Sequence, residues 1–220
     1  MVGRRKYDSD GCPMAHGLDL IGERWALLVV RELLLGPKRF TDLRRGLPAA
    51  SPDMISQRLR ELGESGIVRR RRLAAPAASW VYELTEWGSE LEPVALALAK
   101  WSSRSPGMHP DAPIGADSVV LSLRALFDAP AARGFHAGIA LCLNEDWFRI
   151  TIADGELQAI RGEPDSGDAL LRSDPDTFSA LLTGRVTLAD AENAGAVSLE
   201  GDRAAVERAL QLFPVPEPIS

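Results

Sequence analysis

The chain has 220 residues, 45% of them hydrophobic and 25% charged, with a formal net charge of −6. That length suffices for one large or two small domains with buried cores. No run of eighteen apolar residues is present, so no membrane span or membrane partner is expected. The start, Met1 to Lys6, carries charge with no apolar run after it and does not read as a secretory signal. Two cysteines, Cys12 and Cys142, exclude a disulfide framework and fit a reducing compartment, so a cytoplasmic protein is the simple expectation.

Charge is unevenly spread. Residues 1–104 hold 17 Lys+Arg against 13 Asp+Glu, whereas residues 105–220 hold 8 against 18. A basic half can meet a polyanion, and an acidic half would be repelled by one.

In chain order, Cys12 to Ile21 predicts a short helix with Met14, Leu18 and Ile21 on one side. A second, nearly all-apolar helix begins at Trp25 and stops at Gly36-Pro37. Phe40 to Gly46 predicts a short helix with Thr41 as its N-cap. Ser51-Pro52 then opens the candidate recognition helix, with Ser51 accepting from free N–H groups and Pro52 at the first helical position. Ile55, Leu59 and Leu62 make its core stripe, which leaves Asp53, Ser56, Gln57 and Arg60 on polar faces. Gln and Arg suit base edges because each can make paired hydrogen bonds in the major groove.

Gly66 ends this helix. Ile67-Val68 starts a strand, Arg69, Arg70, Arg71 and Arg72 lead to a tip at Leu73–Ser79, and Trp80–Leu84 returns. Helix, charged hairpin, strand is the order of a winged helix-turn-helix. Guanidinium groups pair with phosphate through two N–H bonds. Strand alternation prevents all four arginines from facing one side, so about two are expected on DNA. Trp87, Leu91, Val94, Leu98 and Trp101 then recur at helical spacing and predict a dimerisation seam.

Cys12-Pro13, Gly22–Trp25, Arg39–Leu43, Ile55–Leu62, Gly66–Arg70 and Tyr82–Gly88 together resemble the HxlR-type winged helix-turn-helix regulators over roughly residues 10–101. The resemblance implies a homodimeric bacterial transcription factor on a pseudo-palindromic operator of double-stranded DNA. It supports a recognition helix at 51–64 and a wing at 69–81; Arg39 and Thr41 are further candidates for DNA contact. Asp53 departs from what phosphate favours, though its carboxylate could accept from a cytosine amino group. Some members of that family sense electrophiles or oxidants through a cysteine near the N-terminus, the place Cys12 holds here. A helix start can lower a thiol pKa.

Residues 102–114 hold three prolines, a glycine and three serines, a linker composition. The organisation expected is therefore a DNA-binding and dimerisation domain at 1–104, a linker at 105–114 and a second domain at 115–220. In that second part Asp117–Phe127 predicts an amphipathic helix. Phe135–Leu143, Phe148–Ile152 and Leu157–Arg161 predict an antiparallel meander with a tight turn at Asp154-Gly155. Further helices follow Asp174-Pro175 and Asp202, with short strands at 168–172 and 195–201. The fold class is a mainly α winged helix-turn-helix domain followed by an α+β domain with an antiparallel sheet covered by helices. Trp147–Arg161, Asp174–Phe178 with Leu181–Gly184, Ala191–Gly195 and Leu199–Asp202 resemble the sterol-carrier-protein-like domains over about 115–213. That resemblance implies an apolar tunnel, for which Phe148, Ile150, Phe178, Leu182 and Phe213 are the lining residues expected to meet a small apolar effector.

His16, His109 and His136 lie far apart and form no metal-spaced set, and no nucleophile elbow, phosphate loop or dinucleotide fingerprint occurs. Asp174 and Asp202 are explained as helix caps. No enzyme, metal or cofactor is expected. The reading is a DNA-binding regulator, more naturally a repressor, with an appended effector domain. The alternatives are a carrier of lipid-like molecules whose helix-turn-helix binds no DNA, and a thiol sensor working through Cys12.

Overall fold

The computed structural model describes residues 7, 9–74, 78–109, 111–163, 167–217 and 219. Packing divides the chain into Met1–Ala95 and Leu96–Ser220.

The first unit runs α1 (Pro13–Ile21), α2 (Ala26–Leu33), α3 (Phe40–Gly46), α4 (Pro52–Glu64), β1 (Val68–Arg72), β2 (Trp80–Leu84) and α5 (Glu86–Ser89). Its core joins Val29, Val30 and Leu33 of α2, Leu43 of α3, and Ile55, Leu59 and Leu62 of α4, all nearly inaccessible. Fully burying a side chain of this size contributes about 2 kcal/mol. α2 begins at Ala26, one residue later than its apolar run, because Trp25 holds the left-handed conformation at φ 76°. α3 starts after Arg39, so Thr41 lies inside its first turn and is not the N-cap. The Asp42 carboxylate reaches back to accept the Arg39 N–H at 3.1 Å and fixes the earlier start.

β1 and β2 pair antiparallel, Val68 opposite Leu84 through Arg72 opposite Trp80. Lys38 adds a single bridge to this hairpin, giving and receiving backbone bonds with Tyr82 at 2.9 and 2.8 Å. At its base Gly88 lies so close to Ile67 that a Cβ would collide with the Ile67 carbonyl. Residues 75–77 of the wing tip lie outside the described residues.

The dimer-seam periodicity predicts one helix, and the structure breaks it. α5 stops at Ser89 and α6 runs Glu92–Ser102. Pro93 has no N–H for a continuous ladder and is tolerated only in a first turn, so the helix restarts there. The division between the two units falls inside α6.

The second unit contains α7 (Ala116–Leu126), β3 (Ala137–Leu143), β4 (Asp146–Ala153), β5 (Glu156–Arg161), β6 (Ala169–Ser173), α8 (Pro175–Leu182), α9 (Leu188–Asn193), β7 (Val197–Gly201) and α10 (Arg203–Leu210). Asp174, Thr187 and Asp202 cap α8, α9 and α10 through their side-chain oxygens. Asp154-Gly155 joins β4 to β5 with both residues at positive φ, which a tight hairpin turn requires.

The α+β class stands, but the sheet is mixed. Its order is β5-β4-β3-β6-β7, and β6 runs parallel to β3. β5 and β6 run in the same direction on opposite sides of the β3–β4 pair, so the short strand at 168–172 returns by a crossover rather than a hairpin. On β4, Phe148, Ile150 and Ile152 turn inward while Trp147, Arg149 and Thr151 stay half-exposed. Helices α7 and α10 pack on the sheet, against β5 and against β3 and β6 respectively.

Candidate nucleic-acid interface

α4 presents two unlike faces. Ile55, Leu59 and Leu62 enter the core beside Arg58, whose buried guanidinium pairs with Glu61 at 2.5 Å. Asp53, Ser56, Gln57 and Arg60, spaced i, i+3, i+4, i+7, form the outer stripe. Asp53, Ser56 and Arg60 are exposed, and half-buried Gln57 donates to Glu61 at 3.0 Å. Ser51 caps the helix by accepting from the Met54 N–H at 3.3 Å. Within this unit the structure therefore leaves a polar helix face uncovered.

The four wing arginines divide two and two. Arg69 and Arg71 lie on the side of Glu83, which is 8% exposed and takes Arg69 Nε at 2.7 Å and Arg71 Nη2 at 2.8 Å. The Arg71 hydrogen bond holds the Glu83 carboxyl below the usual carboxylate range; burial pushes it up, and Arg69 adds to the lowering. Arg70 lies over the Trp80 ring at 4.5 Å and the Tyr82 ring at 6.0 Å. Exposed Arg72 makes a long bond to the Ala78 carbonyl, 3.4 Å.

Two links join hairpin and helices. Arg39 Nε donates to Ser79 Oγ at 3.1 Å, and exposed Thr41 stands two residues on. Behind them, buried Glu32 accepts from Lys38 Nζ at 2.7 Å and from Arg31 at 2.7 Å. A Cβ at Gly46 would strike the Glu32 carboxylate, so the residue that ends α3 also leaves room for this buried charge.

Sequence reasoning passed over Arg44 and Arg45. Both are exposed at the end of α3 and line an open hollow with Thr41, Ser51 and Pro52. Their signal was available, as a pair of cations just before the Ser51 cap.

Of the dimer-seam residues, Trp87, Val94, Leu98 and Trp101 are exposed, Trp101 at 74%, whereas Leu91 packs against the first unit's core. Cys12 is exposed at the start of α1, where the Ala15 N–H, and then the Met14 N–H, hold its thiol below the ordinary value. In the second unit Ile150, Phe178 and Phe213 line a small apolar pocket of about 20 Å³ with Ile139, Leu141 and Leu171. Phe148 does not line it and lies fully buried beneath the Arg161 guanidinium, 4.8 Å from the ring centre. Leu182 is half-buried at the end of α8 and is also absent from the lining. Among the described residues no group of three or more His, Cys, Asp or Glu could hold a metal ion. No helix among them is long and apolar enough to cross a membrane.

Known proteins resemble the two parts separately. Residues 20–109 match the model of the HxlR-like helix-turn-helix, and residues 140–220 match that of the sterol carrier protein domain. The HTH-type transcriptional regulator YdeP of Bacillus subtilis is 35% identical over 97 residues, 44% of this chain and 76% of YdeP. The HTH-type transcriptional regulator YodB of the same organism is 35% identical over 94 residues, 42% of this chain and 84% of YodB. Among solved structures, the sec-alkylsulfatase Pisa1 from Pseudomonas sp. superposes on 51% of this chain at TM-score 0.43 and 18% identity, and the match spans 17% of the Pisa1 chain. With YdeP and YodB matched over most of their lengths, the chain belongs to the HxlR-like helix-turn-helix family of transcriptional regulators and carries a sterol carrier protein domain after it.

Proposed function

We propose that the chain is a homodimeric repressor that binds a pseudo-palindromic operator in the cytoplasm. The observation that carries this reading is the uncovered stripe of Asp53, Ser56, Gln57 and Arg60 on the same compact unit as a guanidinium-rich hairpin. In a two-fold pair, two copies of α4 would enter successive major grooves about 34 Å apart. Two arginines on one face of the wing, with Arg44 and Arg45, would meet phosphates at the edges. The exposed apolar side chains of Trp87, Val94, Leu98 and Trp101 support pairing through this seam, since large apolar side chains left open to water favour a partner that covers them. Residues 1–104 would bind DNA and dimerise, 105–114 would connect, and 115–220 would take an effector.

The effector would be a small apolar molecule held among Ile150, Phe178 and Phe213. Their cavity of about 20 Å³ has room for about one water, so a larger ligand must part the helices from the sheet. Such a ligand regulates only if it favours one DNA-binding state over the other.

The test is retention of a selected duplex by the purified protein as salt is raised. A binder making several phosphate contacts loses affinity steeply, with log K falling by about 0.9 per contact for each tenfold rise in salt. No salt-dependent retention of any duplex would leave the carrier reading in place. A second reading has its own observation, the exposed Cys12 thiol with its lowered pKa. Loss of duplex release by a quinone in Cys12→Ser would identify a thiol sensor, and quinone release unchanged in that variant would remove it.

A further inference from the structure

Glu83 is out of place on a surface meant for a polyanion. If the hairpin served only to attract phosphate, a neutral residue there would do better, because a carboxylate between Arg69 and Arg71 cancels part of their charge. Its position is not accidental crowding. Glu83 stands directly opposite Arg69 on the paired strands, with Arg71 two residues along the same face. The carboxylate is nearly buried, and the guanidiniums above it are open, their side chains 64% and 45% exposed. Arg69 is gripped through Nε, and Arg71 through Nε at 2.9 Å and Nη2 at 2.8 Å. A guanidinium has five N–H donors, so each fork keeps donors for another acceptor. What the carboxylate removes is freedom: two long side chains that would sweep a wide volume are held in one orientation before any partner arrives.

We propose that Glu83 is a positioning residue for operator recognition, a carboxylate clamp that gives up duplex affinity to hold the Arg69 and Arg71 forks in a single geometry and so sharpens discrimination between operator and other DNA. This rests on the DNA-binding reading above. Electrostatic attraction alone is blind to sequence. A fixed pair of donors meets a duplex favourably only where groove width and phosphate spacing match it. The clamp therefore converts two generic cations into a shape-sensitive pair, while Arg70 and Arg72 on the other face remain generic.

The experiment compares wild type, Glu83→Gln and Glu83→Asp on two duplexes, one selected by the wild-type protein from a random library and one scrambled. Affinities are measured across salt, with thermal melting as a folding control. Removing the charge in Glu83→Gln is expected to raise scrambled-duplex affinity, to steepen the salt dependence by about one contact, and to cut the operator preference roughly tenfold. Glu83→Asp keeps the charge but is too short to hold both forks. Its salt dependence returns to wild type and its preference falls between the other two. A Gln variant that melts normally and keeps the wild-type preference overturns the proposal, as does one that weakens both duplexes equally with an unchanged slope. If Glu83→Gln does not fold, Glu83→Asp decides: lowered preference at wild-type slope supports the clamp, and unchanged preference overturns it. Wild type that binds no duplex ends the DNA-binding reading and the clamp with it, whereas wild type that discriminates beside an indifferent Gln variant ends the clamp alone.

Discussion

Two arginine–carboxylate clusters, one in each unit, are built in opposite senses. In the wing the carboxylate is inside and the guanidiniums are outside: Glu83 lies under Arg69 and Arg71. In the second unit the guanidinium of Arg161 is enclosed by Asp117, Asp146 and the face of Phe148. Burial draws the Arg161 pKa down, and the Asp117 and Asp146 carboxylates outweigh it and hold the group above its ordinary value. Its Nε is buried with no hydrogen-bond partner. The same residue types thus do different work. A cation surrounded by its own chain's anions ties α7 to the sheet and offers little to a partner, and a cation lying over a buried anion is held ready for one. Net charge per half points the same way, but the inside-outside order of each cluster says which arginines are free to act.

The largest effect should come from breaking the enclosed cluster. Asp117 is 4% exposed, and removing it in Asp117→Ala leaves Arg161 with one fewer anion in a buried setting. Loss of one partner of a buried pair costs about 3 kcal/mol, read as a lowered urea midpoint for the second unit. Duplex affinity measured below that transition should stay within about twofold if the two clusters are separate devices. A matching loss of duplex affinity would show that the units fold or act as one, and the comparison would fail.

Next in size is the seam. Trp101→Ala removes its most exposed large side chain and should weaken self-association by about 2 kcal/mol, roughly thirtyfold in the dissociation constant. Sedimentation over a dilution series measures it. Monomer stability should barely move, since an exposed ring contributes little to its own fold. Unchanged association would place the partner surface elsewhere.

Much of this was legible in the sequence, for identifiable reasons. The caps at Ser51, Asp174 and Asp202 and the turn at Asp154-Gly155 were readable because each is decided by a few adjacent residues. The core stripe of α4 was readable because its period is local. Three features were not. The parallel partnership of β3 with β6 joins segments thirty residues apart, and no local pattern encodes it. Left-handed Trp25 has a side chain that favours no such conformation, so only the packed fold supports it. The division of labour among the four arginines depends on register, because Arg69 opposite Glu83 is a fact about pairing. The expected seam failed as one helix because the spacing was read through Pro93, whose missing N–H was the local clue.

The outer stripe of α4 sharpens the contrast on the recognition side. Arg60 is exposed and needs no release, whereas Gln57 already donates to Glu61 at 3.0 Å and must give up that bond to reach a base. Arg60→Ala should therefore cost about 1.5 kcal/mol of operator affinity and relax selectivity at one position. Gln57→Ala should cost less than half of that. Competition by single-base variants of the selected duplex measures both. The reverse ranking would mean that the Gln57–Glu61 bond orients the amide for the base rather than holding it back.

The smallest effect on DNA binding belongs to Cys12. It is exposed and lies outside both arginine clusters, so Cys12→Ser should leave duplex affinity within about 0.5 kcal/mol. Its chemistry is another matter. The N–H groups of Ala15 and Met14 at the start of α1 stabilise the thiolate, so the folded protein holds the thiol below its ordinary value. A lowered pKa means the reactive anion is present at lower pH in the folded chain than in the unfolded one. Alkylation at Cys12 should therefore follow a pH profile whose midpoint lies below that of an ordinary thiol and moves up when urea unfolds the chain. Cys142 is buried and should react slowly until then, which separates the two thiols in one experiment. A folded-state midpoint no lower than the urea value would mean that the start of α1 does nothing for the thiolate, and the sensor reading would lose its physical basis while the winged domain's reading stayed as it is.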